Sequence, residues 1–453
     1  MPQSFDAILV GAGQAAPPLA RRLSEAGMKI AFVERYRFGG TCVNTGCIPS
    51  KTWIASAKIA WDAARAAGMG IRINSPVQTD MVRVKARKDE IIHRSSKGVE
   101  SGLRGLKNCT VLVGTAQFVG AHTMRVGDEQ ISAPKIFLNV GGRASIPEIT
   151  GLRESGYLTN SSILDLDVVP EHLIILGGGY VSLEFGQMFR RFGSKVTILQ
   201  RGPRLLPKED EDIAQAITQF FRDEGIVIET DVSVDEVRRS GQRITAKWDT
   251  GEVTGSHLLV ATGRRPNTDD LGLDLAGIQA TKEGYIPVDD RLVAAEGIWA
   301  IGDCNGRGAF THTSYNDFEI VAANLLTEER RSVCDRIKAY NIYTDPPLGR
   351  AGMTEAEVRK SGRASLKAVR PMTRVNRAIA QGETTGFMKA LVDAESKQVV
   401  GAALLGVHCD EVVHVLLDLM YAQKPYTMLT HAVHIHPTVA ELVPTLLEDL
   451  HPL

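Results

Sequence analysis

The sequence predicts an α/β protein with two Rossmann-like dinucleotide-binding domains and a C-terminal α+β domain. Two glycine-rich turns, at residues 11–16 and 177–184, each follow a buried apolar strand and begin a helix, which is the arrangement that binds a dinucleotide. After residue 340 the pattern changes to alternating strands followed by an apolar-periodic helix at 411–421. A chain of 453 residues is long enough to build a core in each of these parts.

The first glycine-rich turn lies between two strands of a predicted parallel sheet. These strands are residues 7–10 and 30–34, and they are apolar throughout except for the final Glu34. Gly11 and Gly13 allow the backbone to approach a pyrophosphate, and Glu34 stands where a carboxylate binds ribose hydroxyls. This spacing predicts a site for one dinucleotide near the N-terminus.

The run at 39–51 contains the most informative pair of residues, Cys42 and Cys47. In a regular helix their Cα atoms would lie roughly 8 to 9 Å apart, beyond the ~7 Å limit for a disulfide. Gly46 permits a bend between them, and Pro49 is typical of the first turn of a helix, whose N-terminal dipole favours a thiolate. The pattern predicts a reversible, electron-storing dithiol, and the alternative is two buried free cysteines near a turn.

The second glycine-rich turn predicts a second nucleotide site with a different preference. Its strands are residues 173–176 and 195–199, and the second strand is followed by Gln200 instead of a carboxylate. Arg201 and Arg204 follow closely, and guanidinium groups without a competing acid accommodate a ribose 2′-phosphate. The second nucleotide is therefore predicted to be NADPH, with NADH possible, and the alternative is a solvated arginine-rich turn.

Composition and charge argue against several classes of protein. The net charge of −1 argues against a nucleic-acid partner. No apolar run reaches membrane-spanning length and the N-terminus enters a strand at once, so we expect no membrane segment, no signal peptide and a cytoplasmic location. A polar helix at about 81–103 is interpreted as a solvated face. Four cysteines outside the pair are expected to be inert apolar residues in a reducing compartment: Cys109, Cys304, Cys334 and Cys409.

Three further motifs lie later in the chain. They are Ala-Thr-Gly-Arg-Arg-Pro-Asn at 261–267, Ile-Trp-Ala-Ile-Gly-Asp at 298–303 and His-Pro-Thr-Val-Ala-Glu at 436–441. With the two turns and the cysteine pair, they make the chain resemble the class I FAD-dependent pyridine nucleotide-disulfide oxidoreductases, which include glutathione reductase, dihydrolipoamide dehydrogenase and mercuric reductase. The resemblance covers essentially the whole chain. It is greatest to the mercuric-reductase-like FAD-containing oxidoreductases of bacteria, which are similar to flavoprotein reductases of reactive chlorine and hypothiocyanous acid defence.

The resemblance implies a division of the chain into four segments. The FAD-binding domain is expected at 1–145 and again at 266–335, the NAD(P)H-binding domain at 146–265, and a dimerisation domain at 336–453. Where the chain is expected to pass from the FAD-binding to the NAD(P)H-binding domain, the family usually has Ala-Thr-Gly. This sequence departs from that pattern with Asn-Val-Gly-Gly at 139–142, which begins with Asn139. An alternative for the last segment is a domain that packs only within its own chain.

The resemblance also assigns roles around the cysteines. Two electrons pass from NADPH through FAD to the Cys42–Cys47 disulfide, with Cys47 as the thiol that contacts the flavin and Cys42 as the thiol that attacks the substrate. Lys51 and Glu184 match an ion pair beside the flavin, where a fixed cation favours the reduced anion. These four residues are catalytic candidates.

His436 and Glu441 complete the set of catalytic candidates. Disulfide chemistry requires proton transfer, and an imidazole oriented by a carboxylate is a base of suitable pKa. Pro437 is expected in the first turn of a helix, so that Glu441 lies about one turn further on and reaches back. His431 and His434 are nearby, but no cysteine or carboxylate pattern completes a metal site, so no metal is expected.

Further residues match the family's cofactor contacts. Tyr180 matches the residue that covers the nicotinamide pocket in the absence of coenzyme, and an aromatic ring simply packed on the second helix is the alternative. Asp303 would hold the ribityl chain of FAD, and the backbone at Thr311 would face the flavin pyrimidine. The full cofactor-binding set is Gly11, Gly13, Ala16, Glu34, Gly40, Thr41, Lys51, Ala116, Gly141, Gly177, Gly179, Tyr180, Gln200, Arg201, Arg204, Gly263, Asp303 and Thr311.

The electron acceptor is expected to be a small-molecule disulfide or an oxidised, thiol-reactive species. Mercuric reductases carry a C-terminal pair of adjacent cysteines, whereas this sequence has no cysteine after Cys409, and dihydrolipoamide dehydrogenases normally carry an acid in place of Gln200. A dihydrolipoamide dehydrogenase and a reductase of Hg(II), Cu(II) or hypothiocyanous acid stay open as alternatives, and a flavin redox sensor without turnover is a different class. The expected partner is a second copy, in a homodimer that shares its active sites.

Overall fold

Two parallel sheets and one large antiparallel sheet organise the chain in the computed structural model, which describes residues 2–453. No helix within these residues combines the length and the apolar character needed to cross a membrane. The helices are α1 (Ala16–Glu25), α2 (Gly40–Asn44), α3 (Cys47–Arg65), α4 (Met81–Arg104), α5 (Tyr180–Phe192), α6 (Glu211–Asp223), α7 (Thr311–Leu326), α8 (Glu355–Ser361), α9 (Asn376–Gln381), α10 (Cys409–Tyr421), α11 (Thr427–Thr430) and α12 (Leu442–Glu448).

The strands are short, between two and seven residues long. They are β1 (Gln3–Ser4), β2 (Ala7–Val10), β3 (Ile30–Glu34), β4 (Cys109–Val113), β5 (Ala116–Gly120), β6 (Thr123–Val126), β7 (Glu129–Ser132), β8 (Lys135–Leu138), β9 (Gly142–Ala144), β10 (His172–Leu176), β11 (Lys195–Leu199), β12 (Val227–Glu229), β13 (Glu236–Ser240), β14 (Arg243–Trp248), β15 (Gly251–Gly255), β16 (His257–Val260), β17 (Arg264–Pro266), β18 (Val293–Ala295), β19 (Ile298–Ala300), β20 (Ala339–Ile342), β21 (Leu348–Gly352), β22 (Ser365–Pro371), β23 (Phe387–Asp393), β24 (Val399–Leu405) and β25 (His451–Pro452).

The first sheet has the strand order β18-β19-β8-β2-β3-β4 and is parallel from β19 to β4. Successive side chains of β2 point to opposite faces, as expected for a strand. Ile8 and Val10 pack against a second sheet of order β1-β7-β6-β5, while Ala7 and Leu9 pack against α1 and α7. Both faces of β2 are therefore buried, which explains its continuous apolar run.

The second glycine-rich turn belongs to a smaller parallel sheet of order β12-β11-β10-β16. The same layering recurs: Leu173 and Ile175 pack with α5, and Ile174 and Leu176 pack with the antiparallel sheet β13-β14-β15. Two such units in one chain confirm the predicted α/β fold with two dinucleotide-binding domains.

The chain crosses between the two parallel sheets through a short antiparallel pair, β9 and β17, in which Gly142 lies opposite Pro266. Asn139, where the sequence departs from the family pattern, lies just before this crossing. Its buried amide accepts a hydrogen bond from the Ala16 backbone at 3.2 Å and donates one to Ile301 O at 2.9 Å. The substitution therefore fits the crossover, because the amide joins α1 to the segment after β19. The boundaries at 145 and 265 stay predictions.

The C-terminal part is an antiparallel sheet of order β20-β21-β24-β23-β22-β25 with α10 packed on one face. The predicted strands at 387–392 and 399–405 correspond to β23 and β24, and the predicted helix at 411–421 corresponds to α10. Together with the two parallel sheets, this sheet completes the predicted fold class.

The prediction that helix α4 is a solvated face is only partly right. The helix spans nearly the predicted residues, but only part of it is a solvated face, since Lys88 is 2% exposed and Ile92 is also buried. Lys88 Nζ lies 2.5 Å from Asp89 Oδ1 and 5.6 Å from the centre of the Trp53 ring. A buried ammonium is tolerated because it has these partners, which the spacing of charges along the sequence does not reveal.

Candidate redox-active site

A cleft of about 1620 Å³ lies at the carboxyl ends of the strands in the first parallel sheet. Its walls are the turn after β2, the α2–α3 segment, one face of α4, the start of α7 and residues 336–343. Residues at the start of α5 close the cleft on the side of the second sheet. The cleft therefore lies where the two nucleotide-binding units and the C-terminal sheet meet.

The turn after β2 fits the pyrophosphate of a dinucleotide. Gly11 has φ +93°, and a Cβ there would lie 2.4 Å from Asn139 O, while a Cβ at Gly13 would lie 2.6 Å from Asn139 Oδ1. Only glycine is accommodated at these two positions. Glu34 is buried at the end of β3, where its carboxylate accepts two backbone N–H groups at 2.7 Å each. Its remaining lone pairs are available to ribose hydroxyls.

The other predicted FAD-binding residues also line this cleft, with one exception. Ala16 is fully buried in the core between α1 and the sheet, so this position serves helix packing instead of the cleft. Asn44 lines the cleft, and its buried Oδ1 has no hydrogen-bond partner among residues 2–453, as expected of an acceptor that a ligand satisfies. The predicted residues that line the cleft are Gly40, Thr41, Lys51, Ala116, Gly141, Asp303 and Thr311.

Asp303 lies at the middle of the cleft, in the turn that follows β19. Burial raises the pKa of its carboxyl, and the guanidinium of Arg264, with Nε 3.9 Å from Asp303 Oδ2, counteracts this effect. A half-buried carboxylate of this kind can accept hydroxyl donors from a ribityl chain. The glycine cradle, Glu34 and Asp303 together fit an extended FAD molecule.

The cysteine pair lies at a break between two helices. Helix α2 ends at Asn44 and α3 begins at Cys47, so the bend predicted from Gly46 is present. A Cβ at Gly46 would lie 2.9 Å from Thr41 O, which explains the need for glycine at this bend. Cys47 is the first residue of α3, two positions earlier than the helix start expected from Pro49, and both thiols are free in the structure.

The two thiols differ in proton affinity. The hydrogen bond from the Cys42 thiol, against the opposing effect of burial, lowers the pKa of Cys47 to about 6, helped by Thr311 and Lys51. Thr311 Oγ1 lies 3.2 Å from Cys47 Sγ, and the N-terminal dipole of α3 acts in the same direction. The same hydrogen bond, together with burial, raises the pKa of Cys42. At neutral pH, Cys47 is a thiolate and Cys42 is a protonated thiol.

Lys51 and Glu184 form an ion pair across the cleft, with Nζ 2.6 Å from Oε2. Glu184 is buried, and its other oxygen accepts the Tyr343 backbone N–H at 2.9 Å. Lys51 Nζ also lies 4.4 Å from the centre of the Tyr343 ring. Because the buried carboxylate and the Tyr343 ring both hold this ammonium one turn after Cys47, it provides a stationary positive charge inside the cleft.

Several aromatic residues of the cleft were not identified from the sequence, among them Phe310, Tyr340 and Tyr343. Tyr180, which was identified, begins α5 and contacts Phe310 with the ring centres 6.0 Å apart. Burial raises the pKa of Tyr180. Phe310 directly precedes Thr311, which is a local signal, but no motif marks the two tyrosines of the C-terminal part.

The second glycine-rich turn has the same backbone requirement as the first. Gly177 has φ +107°, and a Cβ there would lie 2.5 Å from Ala261 O. Gln200 follows β11, as predicted, and the exposed Arg201 comes next. Arg204 Nη2 donates to the carbonyls of Pro207 and Glu209 at 3.3 and 3.2 Å, so this guanidinium is already partly engaged. The remaining predicted members of this set, Gly179 and Gly263, lie in the turn before α5 and in the turn between β16 and β17.

His436 and Glu441 pair with each other but lie outside the cleft. His436 Nδ1 is 3.0 Å from Glu441 Oε2, and the imidazole side chain is 69% exposed. The expected helix at Pro437 is absent: α12 begins only at Leu442, and the turn before it is closed by Thr438, which accepts the Glu441 backbone N–H at 3.1 Å. Within residues 2–453, nothing beyond Tyr421 lines the cleft.

The part of the chain that the structure describes holds no group of three or more His, Cys, Asp or Glu residues placed to bind a metal. Burial raises the pKa of Cys109 to about 11 and that of Cys304 to about 12, and it raises the pKa of the buried Cys409 as well. These three thiols are protonated at neutral pH, in contrast to Cys47.

Comparison with known protein families gives two matches that together span most of the chain. The family described as "Pyridine nucleotide-disulphide oxidoreductase" matches residues 5–317. The family described as "Pyridine nucleotide-disulphide oxidoreductase, dimerisation domain" matches residues 339–447. The two matches correspond to the parallel-sheet part and the antiparallel-sheet part of the fold.

Individual relatives agree with these matches. The "Probable pyridine nucleotide-disulfide oxidoreductase RclA" of Escherichia coli is 35% identical over 446 residues, covering 96% of this chain and 97% of the relative. A "Mercuric reductase" of Lysinibacillus sphaericus is 30% identical over 416 residues, covering 91% of this chain and 76% of the relative. Among solved structures, the "Cu(II) complex of HOCl-induced flavoprotein disulfide reductase RclA from Escherichia coli" superposes with a TM-score of 0.91 at 35% identity, covering 99% of both chains.

Proposed function

Because the chain belongs to the pyridine nucleotide-disulphide oxidoreductase family, we propose that it reduces a low-molecular-weight disulfide or another thiol-reactive oxidant with electrons from NADPH. The chain is an FAD-dependent disulfide oxidoreductase that uses a pyridine nucleotide. When bound, FAD relays two electrons between the nicotinamide and the cysteine pair. The observation that carries the proposal is the cysteine pair at the break between α2 and α3, with Cys47 as the first residue of α3 and its sulfur 3.2 Å from Thr311 Oγ1.

The two cysteines have different roles in this mechanism. Cys42, once deprotonated, attacks one sulfur of the substrate disulfide and forms a mixed disulfide, and the first substrate thiol leaves with a proton. The Cys47 thiolate then attacks Cys42 Sγ, which releases the second thiol and forms the Cys42–Cys47 disulfide. The low pKa of Cys47 and the raised pKa of Cys42 support this order, because the second nucleophile is already ionised.

A base must remove the proton from Cys42, and we assign this role to His436. The imidazole is oriented by Glu441, with Nδ1 3.0 Å from the carboxylate, so that Nε2 is left to accept a proton. His436 lies outside the cleft of its own chain, and the neighbouring Val433 and Ile435 are 100% and 81% exposed. A second copy that covers these apolar side chains would bring its own His436 to the first chain's Cys42, in a homodimer with shared sites.

The Lys51–Glu184 pair is proposed to stabilise negative charge on the reduced cofactor. Its ammonium is held at 2.6 Å from the buried Glu184 carboxylate, so it needs no reorganisation when charge develops nearby. Glu184 is in turn fixed by the backbone of Tyr343. The pair therefore contributes a fixed charge and no proton transfer.

The preference for NADPH over NADH rests on the end of β11. Gln200 carries no charge to repel a 2′-phosphate, and Arg201 is exposed at the edge where that phosphate would lie. Arg204 is half-buried and donates to two backbone carbonyls, so its contribution is expected to be the smaller one. We therefore expect Arg201 to be the main determinant of coenzyme choice.

The acceptor is inferred from the site and from one relative. A relative of known structure is described as an HOCl-induced flavoprotein disulfide reductase that forms a Cu(II) complex, which makes disulfides formed by oxidants the first candidates and Cu(II) the second. Another relative, 30% identical, is described as a mercuric reductase, so Hg(II) is tested as a further acceptor.

The proposal is tested by anaerobic titration of the FAD-loaded protein with NADPH, followed by turnover with glutathione disulfide, lipoamide, Cu(II), Hg(II) and hypothiocyanous acid. We expect a long-wavelength absorbance from the Cys47 thiolate beside the flavin, and turnover of at least one disulfide or oxidant that the Cys42→Ser variant lacks. If NADPH reduces the protein without this absorbance, and no acceptor shows cysteine-dependent turnover, the protein is a redox sensor without turnover and the proposal is wrong.

A further inference from the structure

The loop that carries the two arginines of the second nucleotide site is anchored to the C-terminal sheet. Glu209 and Asp210, at the end of this loop, are both buried. Arg350 of β21 is 1% exposed and its Nη1 lies 2.8 Å from Asp210 Oδ2. Lys389 of β23 is fully buried and lies 2.9 Å from the same oxygen. Residues 200–210, which we call the arginine loop, are therefore held by charged residues of the C-terminal sheet.

Glu209 makes a further contact with the cleft itself. Its carboxylate accepts a hydrogen bond from the hydroxyl of Tyr340, and its second oxygen is buried without a hydrogen-bond partner among residues 2–453. Arg350 Nη1 is 3.9 Å from that oxygen, too far for a hydrogen bond. Within the described chain, the Tyr340 hydroxyl is thus the hydrogen-bond donor that holds this carboxylate.

The ring of Tyr340 connects the Glu209 contact to the part of the cleft where Tyr180 lies, which is the proposed nicotinamide side. It stacks on Phe310, with ring centres 5.4 Å apart and planes inclined by 7°. Phe310 in turn contacts Tyr180, with ring centres 6.0 Å apart and planes inclined by 39°. All three aromatic residues line the cleft. Tyr340 therefore touches the arginine loop through its hydroxyl and the Tyr180 side of the cleft through its ring.

Hydrogen bonds within the arginine loop connect Glu209 to Arg204 and to the glycine-rich turn. Arg204 Nη2 donates to Glu209 O at 3.2 Å, and the Glu209 backbone N–H donates to Leu206 O at 2.9 Å. The Leu206 N–H donates to Gly178 O at 2.9 Å, which joins the loop to the glycine-rich turn. These hydrogen bonds connect the Glu209 backbone to the Arg204 guanidinium and to the glycine-rich turn, within the loop that also carries Arg201.

We infer that Tyr340 is a positioning residue for the dinucleotide, which holds the arginine loop through its hydroxyl and the Tyr180–Phe310 wall through its ring. The inference rests on the proposed NADPH site and names a residue that acts on both ends of it. The hydroxyl positions the loop that binds the 2′-phosphate, and the ring positions the aromatic wall that contacts the nicotinamide. The two contributions can be separated, because phenylalanine keeps the ring and loses the hydroxyl.

The phosphate end is tested by calorimetric binding of 2′,5′-ADP and 5′-AMP to the FAD-loaded protein. Tyr340→Phe is expected to weaken 2′,5′-ADP binding about three- to tenfold, the loss of roughly one hydrogen bond, and to leave 5′-AMP binding within about twofold. In an Arg201→Gln background the effect of Tyr340→Phe on 2′,5′-ADP is expected to be smaller, because only the Arg204 contact is left. Tyr285→Phe, which alters a half-buried tyrosine outside the cleft, is the matched control and should change neither probe.

The nicotinamide end is tested by stopped-flow reduction with NADPH, which separates the dissociation constant from the limiting rate. Tyr340→Phe should raise the dissociation constant and keep the limiting rate within about twofold, whereas Tyr340→Ala, which removes the stacked ring, should lower the limiting rate as well.

Equal weakening of both nucleotide probes by Tyr340→Phe, or an undiminished effect in the Arg201→Gln background, would overturn the inference and leave a purely structural role. Wild-type behaviour of Tyr340→Phe towards 2′,5′-ADP would overturn it too. If the wild-type protein binds neither probe and is not reduced by NADPH, the proposed coenzyme site is wrong and the inference falls with it. The three results for Tyr340→Phe leave the proposed function intact, so a failure of the inference can be distinguished from a failure of the proposed coenzyme site.

Discussion

At the scale of single residues, the chemistry of this protein depends on two thiols with opposite proton affinities. The hydrogen bond with the Cys42 thiol, the side chain of Thr311, whose Oγ1 lies 3.2 Å from Cys47 Sγ, and the Lys51 ammonium together lower the pKa of Cys47 to about 6. The pKa of Cys42 is raised by the same hydrogen bond. A disulfide reductase benefits from this asymmetry, since the Cys47 sulfur is already a thiolate while the Cys42 sulfur keeps its proton until a base removes it.

The pH dependence of the reduced protein follows from this asymmetry. The pKa of Cys47, about 6, is below the ordinary thiol value, so the thiolate is fully present at higher pH and is lost as the pH falls through about 6. The long-wavelength absorbance of the reduced, FAD-loaded protein should therefore disappear with a midpoint near that value. Thr311→Val should raise the midpoint by about one pH unit, since a hydrogen bond to a charged group contributes ~1.5 kcal/mol, whereas Thr311→Ser should not. A midpoint unchanged in Thr311→Val would contradict the assignment.

Replacement of either cysteine should leave FAD bound and abolish disulfide reduction, because each variant removes one end of the electron relay. Cys47→Ser should also lose the long-wavelength absorbance, and Cys42→Ser should retain it, which is measured by anaerobic titration with NADPH. Cys334→Ser is the matched control, since Cys334 is exposed and lies outside the cleft, and it should keep full turnover. Disulfide turnover in both active-site variants would refute the mechanism.

At the scale of elements, function depends on where helices and strands end. The gap between α2 and α3 brings Cys42 beside Cys47, which a continuous helix cannot do. The carboxyl ends of β2 and β10 each lead into a glycine with positive φ, at Gly11 and Gly177. The loop after β11 presents the arginines. Each site residue is thus placed by a helix start or a strand end.

Neutralising the arginine loop should change coenzyme choice. We expect the double variant Arg201→Gln, Arg204→Gln to raise the Michaelis constant for NADPH by roughly ten- to a hundredfold, and that for NADH far less, since two charge-assisted contacts of ~1.5 to 3 kcal/mol with partial compensation are lost. The measurement is steady-state turnover with both coenzymes. Arg238→Gln, at an exposed position of β13 in the same domain, is the control and should change neither constant. Equal increases for both coenzymes would assign these arginines to the solvated surface.

At the scale of the whole molecule, the cleft is built by three parts of the chain, and the proposed acid–base pair is not among its lining residues. The His436–Glu441 pair lies outside it, beside fully exposed apolar side chains such as Val433. Exposed apolar residues next to a catalytic candidate are typical of a surface that a partner covers. The match to a dimerisation domain over residues 339–447 agrees with this arrangement.

Complementation between inactive variants tests the shared site. Cys42→Ser and His436→Ala are each expected to be inactive, and their co-expression should restore up to about half of the wild-type activity per heterodimer, because one of two sites regains both groups. Activity is measured on heterodimers isolated with two different affinity tags. Cys42→Ser with Cys47→Ser is the matched control and should restore nothing, since both residues belong to the same half-site. Inactive heterodimers of the first pair would place His436 and Cys42 in one chain.

The sequence by itself determined the features that depend on neighbours along the chain. The two glycine turns, the bend at Gly46, strand β24 and helix α10 were all predictable, because backbone conformation and hydrophobic periodicity are local properties. The family follows from motifs of the same local kind.

Only the tertiary structure decided which distant residues meet. It buries Lys88 on a helix whose charges suggested a solvated face, removes Ala16 from the cleft and replaces the expected helix at Pro437 by a turn. It also joins Tyr340 to Glu209 across two domains. The Tyr340–Glu209 contact joins residues 131 positions apart, and the energy of such a contact is set by burial, which no local pattern encodes.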